Sequence, residues 1–402
     1  MKTEKNQASV TRKGAARIHN GHLWIFKSDV ADVNAEGGAI VTVLDERRKF
    51  LGKAFYSDSS EITLRFITTE DVRIDKEFWR TRIRDAANRR IEFERQAEAN
   101  PKSKIQNPKS AKRLIYSEGD LISSLIVDVY DDVFALQTLS QGTDKLKQIF
   151  IEILLEEFSP RAVIERNDAR VREKEHLPLQ SGVLFGECPS EIIIEQDGIK
   201  FYVAPLGGQK TGAFLDQREN RLALRGYAFG RALDCFTFNA GFALNLALTC
   251  ESVTAVDVSD DAIKLATRNA ELNQISNVKF KIADVFDFLK EAETTGETYD
   301  TIVLDPPAFA KNRSSVRNAL RGYKEINLRA FKMLNKNGVL ATCTCSHHAS
   351  EDLFVQTVLD AANDAGKRVQ LLEKRAQSTD HPILLGVPET YYLKCLILRV
   401  LN

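Results

Sequence analysis

The chain has no long apolar run, so no segment reads as a transmembrane helix. Its first residues, MKTEKNQASVTRKG, lack the apolar stretch of a secretory signal. Cysteine is sparse and scattered, at 188, 235, 250, 343, 345 and 395, which is no disulfide framework. These absences point to a cytoplasmic protein in a reducing compartment. No internal repeat or low-complexity tract is present. Net charge is zero, 56 basic against 56 acidic residues, which taken alone argues against a nucleic-acid partner.

The charge is unevenly spread, however. Residues 1–30 carry six Lys/Arg against two acids, 73–113 carry thirteen against six, and 311–332 carry seven against one. One such patch reads as a solvated helix face. Three in one chain move the reading modestly toward phosphate binding. At 402 residues the chain is long enough for two or three domains.

Residues 1–70 read as short strands, with Asp45-Glu46-Arg47-Arg48 turning a hairpin. Residues 73–96 read as a basic amphipathic helix whose apolar face is Phe78, Trp79, Ile83, Ala86/Ala87 and Ile91. The Pro-containing stretch 97–112 reads as a loop. Strands SLIVDVY and VFALQTL, a helix over 143–157 and RAVIERN make a second small α/β unit. EIIIEQDGIKFYVA predicts a hairpin about Asp197-Gly198.

From about residue 228 strands and helices alternate regularly, implying a mostly parallel, doubly wound α/β sheet of Rossmann type. Ligands of such sheets bind at the carboxyl ends of the strands. Four candidate positions fall there. Asp234 and the turn Phe236-Thr-Phe-Asn-Ala-Gly241 follow the first strand, and Gly241 opens the next helix. The turn lacks the three glycines of a dinucleotide fingerprint. Asp257 ends the second strand, where an acid can accept both ribose hydroxyls of an adenosine, and Asp284 ends the third. Each acid alone reads as a helix N-cap, but three in register are a stronger signal. The fourth strand ends in Asp305-Pro306-Pro307, a rigid turn followed by Phe309, suited to holding and stacking on a planar base.

The stretch GVLATCTCSHHAS carries the remaining chemistry. Its CxC spacing and the lack of a second Cys/His pair disfavour zinc, and no metal is expected. A redox pair would want CxxC at a helix N-terminus. In a strand, Cys343 and Cys345 share one face, with Cys343 the deeper and packing-like, and Cys345 at the carboxyl end.

Together these motifs resemble class I S-adenosylmethionine-dependent methyltransferases. More closely, the chain is similar to bacterial 23S rRNA cytosine-5 methyltransferases with an N-terminal PUA domain. GHLWIF (21–26), YSEGD (116–120), IERND (164–168), GGQKTGAFLDQREN (207–220), LDPPAFAK and TCSHH carry the resemblance. It implies a PUA-like RNA-binding domain over 1–72, a central α/β domain over 73–190 and a methyltransferase domain over 191–402. It makes Lys210, Thr211, Asp216, Gln217 and Arg218 candidate cofactor or active-site contacts. The cofactor would be S-adenosylmethionine and the partner 23S rRNA or its precursor. A homodimer is left open. Two departures stand out: Ala240-Gly241 replaces two adjacent glycines, and GDLISSL replaces a segment with Gly and Pro.

In the family the cysteine of the TCS segment is the nucleophile, which here is Cys345. A thiolate added to carbon 6 of a pyrimidine makes carbon 5 reactive toward an electrophilic methyl group. Asp305 would hold the base. The loop reads PPAF, so it offers no second thiol, and His347 and His348 are at least as well read as loop residues. Phe309, Lys311 and Arg313, together with Arg317 and Arg321 of a helix expected over 315–335, would meet the RNA. Two rival readings are an rRNA methyltransferase acting on a purine nitrogen, and a non-catalytic ribosome-assembly factor.

Overall fold

The computed structural model describes residues 4–99, 111–207, 213–310, 315–346 and 348–402. The N-terminal sheet holds β1 (Gln7–Val10), β2 (Trp24–Phe26), β3 (Val30–Asn34), β4 (Ile40–Leu44), β5 (Phe50–Tyr56) and β6 (Ile62–Thr68), in the order β2-β6-β5-β4-β1-β3. The expected hairpin joins β4 to β5, and its turn forms because Asp45 Oδ1 accepts from the Arg47 and Lys49 amides at 2.8 Å each. The sequence reading missed one helix here, α1 (Arg12–His19), which Thr11 caps.

Helix α2 (Lys76–Ala99) leads to a second sheet, order β11-β10-β9-β8-β7. Its strands are β7 (Ala111–Tyr116), β8 (Leu125–Tyr130), β9 (Val133–Thr138), β10 (Ala162–Asn167) and β11 (Gln180–Gly186). The single helix expected over 143–157 is two, α3 (Gln141–Lys145) and α4 (Lys147–Phe158), broken at Leu146. α2 buries Trp79, Ile83, Ala86 and Ala87 as its spacing predicts. Ile91, however, is 40% exposed, and Arg90, 3% exposed, takes the inward position beside it.

The cationic face of α2 is spent inside the fold. Lys76 pairs with Glu152 and Glu156, Arg80 with Glu156 and Glu157, and Arg84 with Glu157, all of α4. Arg89 and Arg90 pair with Asp120. These ion pairs brace α2 against α4 and against the turn at Asp120.

The hairpin β12 (Ile192–Gln196) and β13 (Ile199–Val203) turns at Asp197 (φ 53°) and Gly198 (φ 82°), as Asp-Gly predicts. A short turn, Leu215–Gln217, and α5 (Arg218–Arg225) then lead into the last sheet, order β16-β15-β14-β17-β18-β20-β19. Its strands are β14 (Arg231–Cys235), β15 (Ser252–Asp257), β16 (Val278–Ile282), β17 (Tyr299–Leu304), β18 (Leu334–Thr344), β19 (Val369–Arg375) and β20 (Lys394–Val400). The helices are α6 (Gly241–Ala247), α7 (Asp260–Leu272), α8 (Val285–Thr294), α9 (Val316–Met333) and α10 (Glu351–Asp364). The strands β14 to β18 pair in parallel, while β20 is antiparallel to both β18 and β19, so six of the seven run one way. The winding reverses between β14 and β17, which puts a ligand crevice at their carboxyl ends.

One apolar core joins the second sheet (Tyr130, Ile164), the hairpin (Ile194, Phe201) and one face of the last sheet, and a second lies under α8, α9 and α10. Among the described residues no helix is long and apolar enough to cross a membrane. Trp79 is the pin between the first two sheets. It stacks on Phe55 of β5 at 5.6 Å and meets Phe150 of α4 edge-on at 5.5 Å. Trp79→Ala should lower unfolding free energy by about 3–5 kcal/mol, the usual loss for a truncated buried aromatic. Urea unfolding of the full chain checks this; a loss below about 1 kcal/mol would show that the pin is dispensable.

Candidate active site

The crevice begins with the turn after β14. Phe236, Phe238 and Ala240 have φ of 65°, 49° and 66°, a left-handed conformation that L side chains resist. Carboxylates at two strand ends hold this turn. Asp234 Oδ2 accepts from Thr237 Oγ1 at 2.6 Å and the Ala243 amide at 2.9 Å. Asp257 Oδ2 accepts from the Phe238 amide and Oδ1 from the Ser259 amide, both at 2.9 Å. Asp284 caps α8, its Oδ1 accepting from Phe286 and Asp287 amides at 2.8 and 3.3 Å. Each acid is thus a clamp or a cap, while standing at the ligand edge in register. Gly241 has a separate reason to be glycine: a Cβ there would lie 2.6 Å from the Arg221 guanidinium carbon.

Arg221 escaped the sequence reading, which stopped one residue short of it. It is 8% exposed, and Asp305, Asp216 and Asp234 all act on it electrostatically. Burial pulls its guanidinium below the ordinary arginine value, and those acids work against that. Its place directly after the matched segment was the available signal.

The segment 207–220 divides. Lys210 and Thr211 lie outside the described residues. Gln217 Nε2 donates to Asp305 Oδ1 at 2.8 Å, and Gln217 Oε1 accepts from Asn220 at 2.7 Å. Asp216, 5% exposed, accepts from the Tyr392 hydroxyl at 2.6 Å. Arg218 turns toward the hairpin, forming a two-pronged pair with Asp197 at 2.7 Å per contact. The geometry therefore brings Gln217 to Asp305, seats Asp216 against Tyr392 and gives Arg218 a bracing position.

Asp305 follows β17, and Cys345 follows β18, its parallel neighbour. Cys345 is half-buried, with Sγ 3.9 Å from the Pro306 carbonyl oxygen. The two loops are sewn together. Ser346 Oγ accepts from the Ala310 amide at 3.1 Å, and Tyr323 of α9 bonds Ser346 and Thr344 at 2.9 and 2.8 Å. Cys343 is fully buried opposite Cys395, and that thiol and burial push its own thiol well above the ordinary value.

Phe309 packs against Tyr323 at 4.7 Å, Phe286 at 5.9 Å and Phe236 at 6.5 Å, and lies over Gly322, so one ring face is already used by the protein. Arg317 and Arg321 are exposed on α9 one turn apart. Lys324 on the same helix is tied to Asp364 at 2.7 Å. Lys311, Arg313 and His347 lie outside the described residues. His348 stands half-buried just past Cys345. Among the described residues no three metal-ligating side chains converge.

Comparison with known proteins agrees with this geometry. Residues 9–69 match a PUA-like domain and residues 230–380 a methyltransferase domain. The ribosomal RNA large subunit methyltransferase I of Tolumonas auensis is 40% identical over 390 residues, covering 94% of this chain and 96% of that one. Its Klebsiella pneumoniae counterpart is 38% identical over 388 residues, covering 94% of each. The chain belongs to the ribosomal RNA large subunit methyltransferase I family. The solved structure of SMU.776 complexed with SAH superposes with a TM-score of 0.84 at 21% identity, covering 98% of this chain and 100% of that one. At that identity the likeness speaks to the fold.

The protein is an S-adenosylmethionine-dependent methyltransferase, and its crevice fits that cofactor. Asp234 Oδ1 is buried without a hydrogen-bond partner among the described residues, the kind of atom a ligand's donor satisfies. Asp257, half-buried at the next strand end, is placed for a ribose.

Burial raises the Asp234 carboxyl from 3.8 to about 7. The protonated form is therefore favoured by folding. Its stabilisation is fully present below the unfolded value and is lost as pH rises through about 7. Asp234→Asn, which imitates the protonated acid, should gain on wild type between pH 4.5 and 7.5, by about 1.4 kcal/mol per pH unit at most. Urea unfolding at the two pH values tests this, and a difference that stays flat would refute it.

Proposed function

We propose that this enzyme methylates carbon 5 of a cytosine in 23S rRNA through a covalent bond to Cys345. The observation carrying the proposal is the Cys345 thiol seated against the Asp305-Pro306-Pro307 turn, with Sγ 3.9 Å from the Pro306 carbonyl oxygen. The names of the relatives support the ribosomal substrate.

The chemistry follows from what a pyrimidine lacks. Its carbon 5 is a poor nucleophile. The electron pair of the Cys345 thiolate forms a bond to carbon 6, and the displaced ring electrons make carbon 5 enamine-like. Asp305, steadied by Gln217, accepts from the exocyclic amino group and, in its protonated form, donates to ring nitrogen 3, which favours that addition. Asp234, Asp257 and the turn between them hold S-adenosylmethionine, which when bound supplies the methyl group. A water molecule acting as base then takes the carbon 5 proton, the freed pair re-forms the carbon 5–carbon 6 double bond, and the carbon 6–sulfur bond breaks with its electron pair returning to sulfur. The base reaches this pocket only when unstacked from its RNA. Arg317 and Arg321 are exposed to take flanking phosphates.

Cys345→Ala should abolish methyl transfer, by at least about a thousandfold if the thiol is the nucleophile, while S-adenosylmethionine still binds by calorimetry. Mass spectrometry of nucleosides from rRNA treated with wild-type enzyme should show 5-methylcytidine. A methylated purine, or a Cys345→Ala enzyme of comparable rate, would overturn the reading.

A further inference from the structure

In the proposed reaction Asp305 reads the base, and an acid reads differently according to which of its oxygens carries the proton. The segment 207–220 supplies a chain of contacts that fixes this choice. Gln217 Nε2 donates to Asp305 Oδ1 at 2.8 Å, and Gln217 Oε1 accepts from Asn220 Nδ2 at 2.7 Å. Gln217 and Asn220 are 3% and 1% exposed, so bulk water replaces neither partner.

A side-chain amide can turn end for end and exchange its donor for its acceptor. Asn220 is denied that freedom. Its Oδ1 accepts from Arg375 Nε of β19 at 2.9 Å, and its Nδ2 also donates to the Ala376 carbonyl at 3.1 Å. A guanidinium nitrogen only donates, and a carbonyl only accepts. Turning Asn220 would set donor against donor at one end and acceptor against acceptor at the other, leaving buried polar groups unmatched. Arg375 is itself held by Glu373 at 2.6 Å.

The order then propagates to the site. Asn220 shows an N–H to Gln217, so Gln217 shows its carbonyl to Asn220 and its own N–H to Asp305. Oδ1 of Asp305 therefore always meets a donor. A carboxyl oxygen that carries the proton is the poorer acceptor, so in the acid form the proton belongs on Oδ2. Asp305 then offers an acceptor at Oδ1 and a donor at Oδ2, held relative to Cys345 by the loops joined at Ser346. Cytosine presents an amino donor beside a ring-nitrogen acceptor, which matches that order. A uracil seated in the same place presents an oxygen acceptor beside an N–H donor, and meets like against like at both atoms.

We propose that Asn220, locked by Arg375 and the Ala376 carbonyl, is a positioning residue for base specificity: it sets the Gln217 amide so that Asp305 accepts cytosine and refuses uracil. This rests on the cytosine reading above. Asn220 acts through Gln217 and Asp305 and touches no reacting atom of the base. Released from Asn220, the Gln217 amide is free to turn its carbonyl to Oδ1 and draw the carboxyl proton there. Asp305 then loses the donor it offers to ring nitrogen 3.

The test uses the full-length protein and two unmodified 23S rRNA transcripts, one natural and one with uridine in place of the cytidine that wild type methylates. Nucleoside mass spectrometry follows 5-methylcytidine and 5-methyluridine. Wild type should prefer cytidine by about ten-thousandfold, the scale for a site whose buried hydrogen-bonding groups the wrong substrate leaves mismatched. Asn220→Asp, whose carboxylate only accepts, should turn Gln217 round. It should lower kcat on cytidine at least about tenfold and cut the preference at least about tenfold, with S-adenosylmethionine affinity by calorimetry unchanged. Asn220→Ala, which frees Gln217 without adding a charge, should move both in the same direction by less. Thermal melting establishes that the variants are folded. Folded variants that keep the wild-type preference overturn the proposal, even where kcat falls, because a scaffold role alone lowers the rate on both transcripts. Should neither variant fold, the wild-type preference decides, and a value below about a hundredfold overturns the proposal. A methylated purine from wild type would sink the cytosine reading and this inference with it, whereas 5-methylcytidine from wild type with an unmoved preference in the variants sinks this inference alone.

Discussion

The hydrogen bond from the Ala310 amide to Ser346 Oγ, 3.1 Å long, closes the site. Parallel pairing brings β17 and β18 side by side, but the chemistry lies beyond both strands, where no ladder constrains the chain. Asp305 and Cys345 keep their relation because Ser346 fastens one loop to the other. Ser346 is itself fixed by the Tyr323 hydroxyl, which also bonds Thr344. Helix α9 thus serves as a jig for the two loops. Gly322 on that helix leaves room for Phe309, so the Pro-Pro loop packs on a helix face instead of on itself. From the other side Gln217 reaches Asp305, bringing the turn before α5 into the same assembly.

Electrostatics follow a similar economy. A net charge of zero conceals many buried or half-buried guanidinium groups with assigned partners. Arg90 binds Asp120 and the Asp380 carbonyl, and Arg113 binds Asp128 with two contacts of 2.8 Å, tying the second sheet to the chain between β19 and β20. Arg218 binds Asp197. These pairs bring little net stability compared with apolar packing, yet breaking one strands a buried charge. Their benefit is alignment, and they explain why a count of basic residues overstates the surface available to RNA.

What was legible in the sequence was local. The Asp-Gly hairpin, the strand-end acids and the depth order of Cys343 and Cys345 all follow from periodicity and turn chemistry within a few residues. What was not legible depended on distant partners. Arg218 could have faced the crevice or the hairpin, and only Asp197, twenty-one positions back in sequence, decides it. Ile91 fits the helical stripe, but Asp120 draws Arg90 inward and turns the helix edge outward. Arg221 became visible only when Gly241 was seen against it. Resemblance located the segment 207–220, and geometry then distributed its residues between site and scaffold.

The turn after β14 shows why the same acids can be structural and functional. Three non-glycine residues in five hold positive φ, each at about 1–2 kcal/mol by the usual reckoning. A bare turn would relax. Asp234 and Asp257 prevent this by fixing backbone amides from two strands. Clamping the turn necessarily brings their carboxyl groups to the strand ends, where Asp234 Oδ1 stays buried without a hydrogen-bond partner among the described residues. Ala240 fits the same logic. Glycine would remove its backbone strain, but its methyl is fully buried in the core, and a buried methyl-sized group is worth about 0.8 kcal/mol. Packing thus offsets part of the strain, and the two strand-end acids bear the rest through the amides they hold.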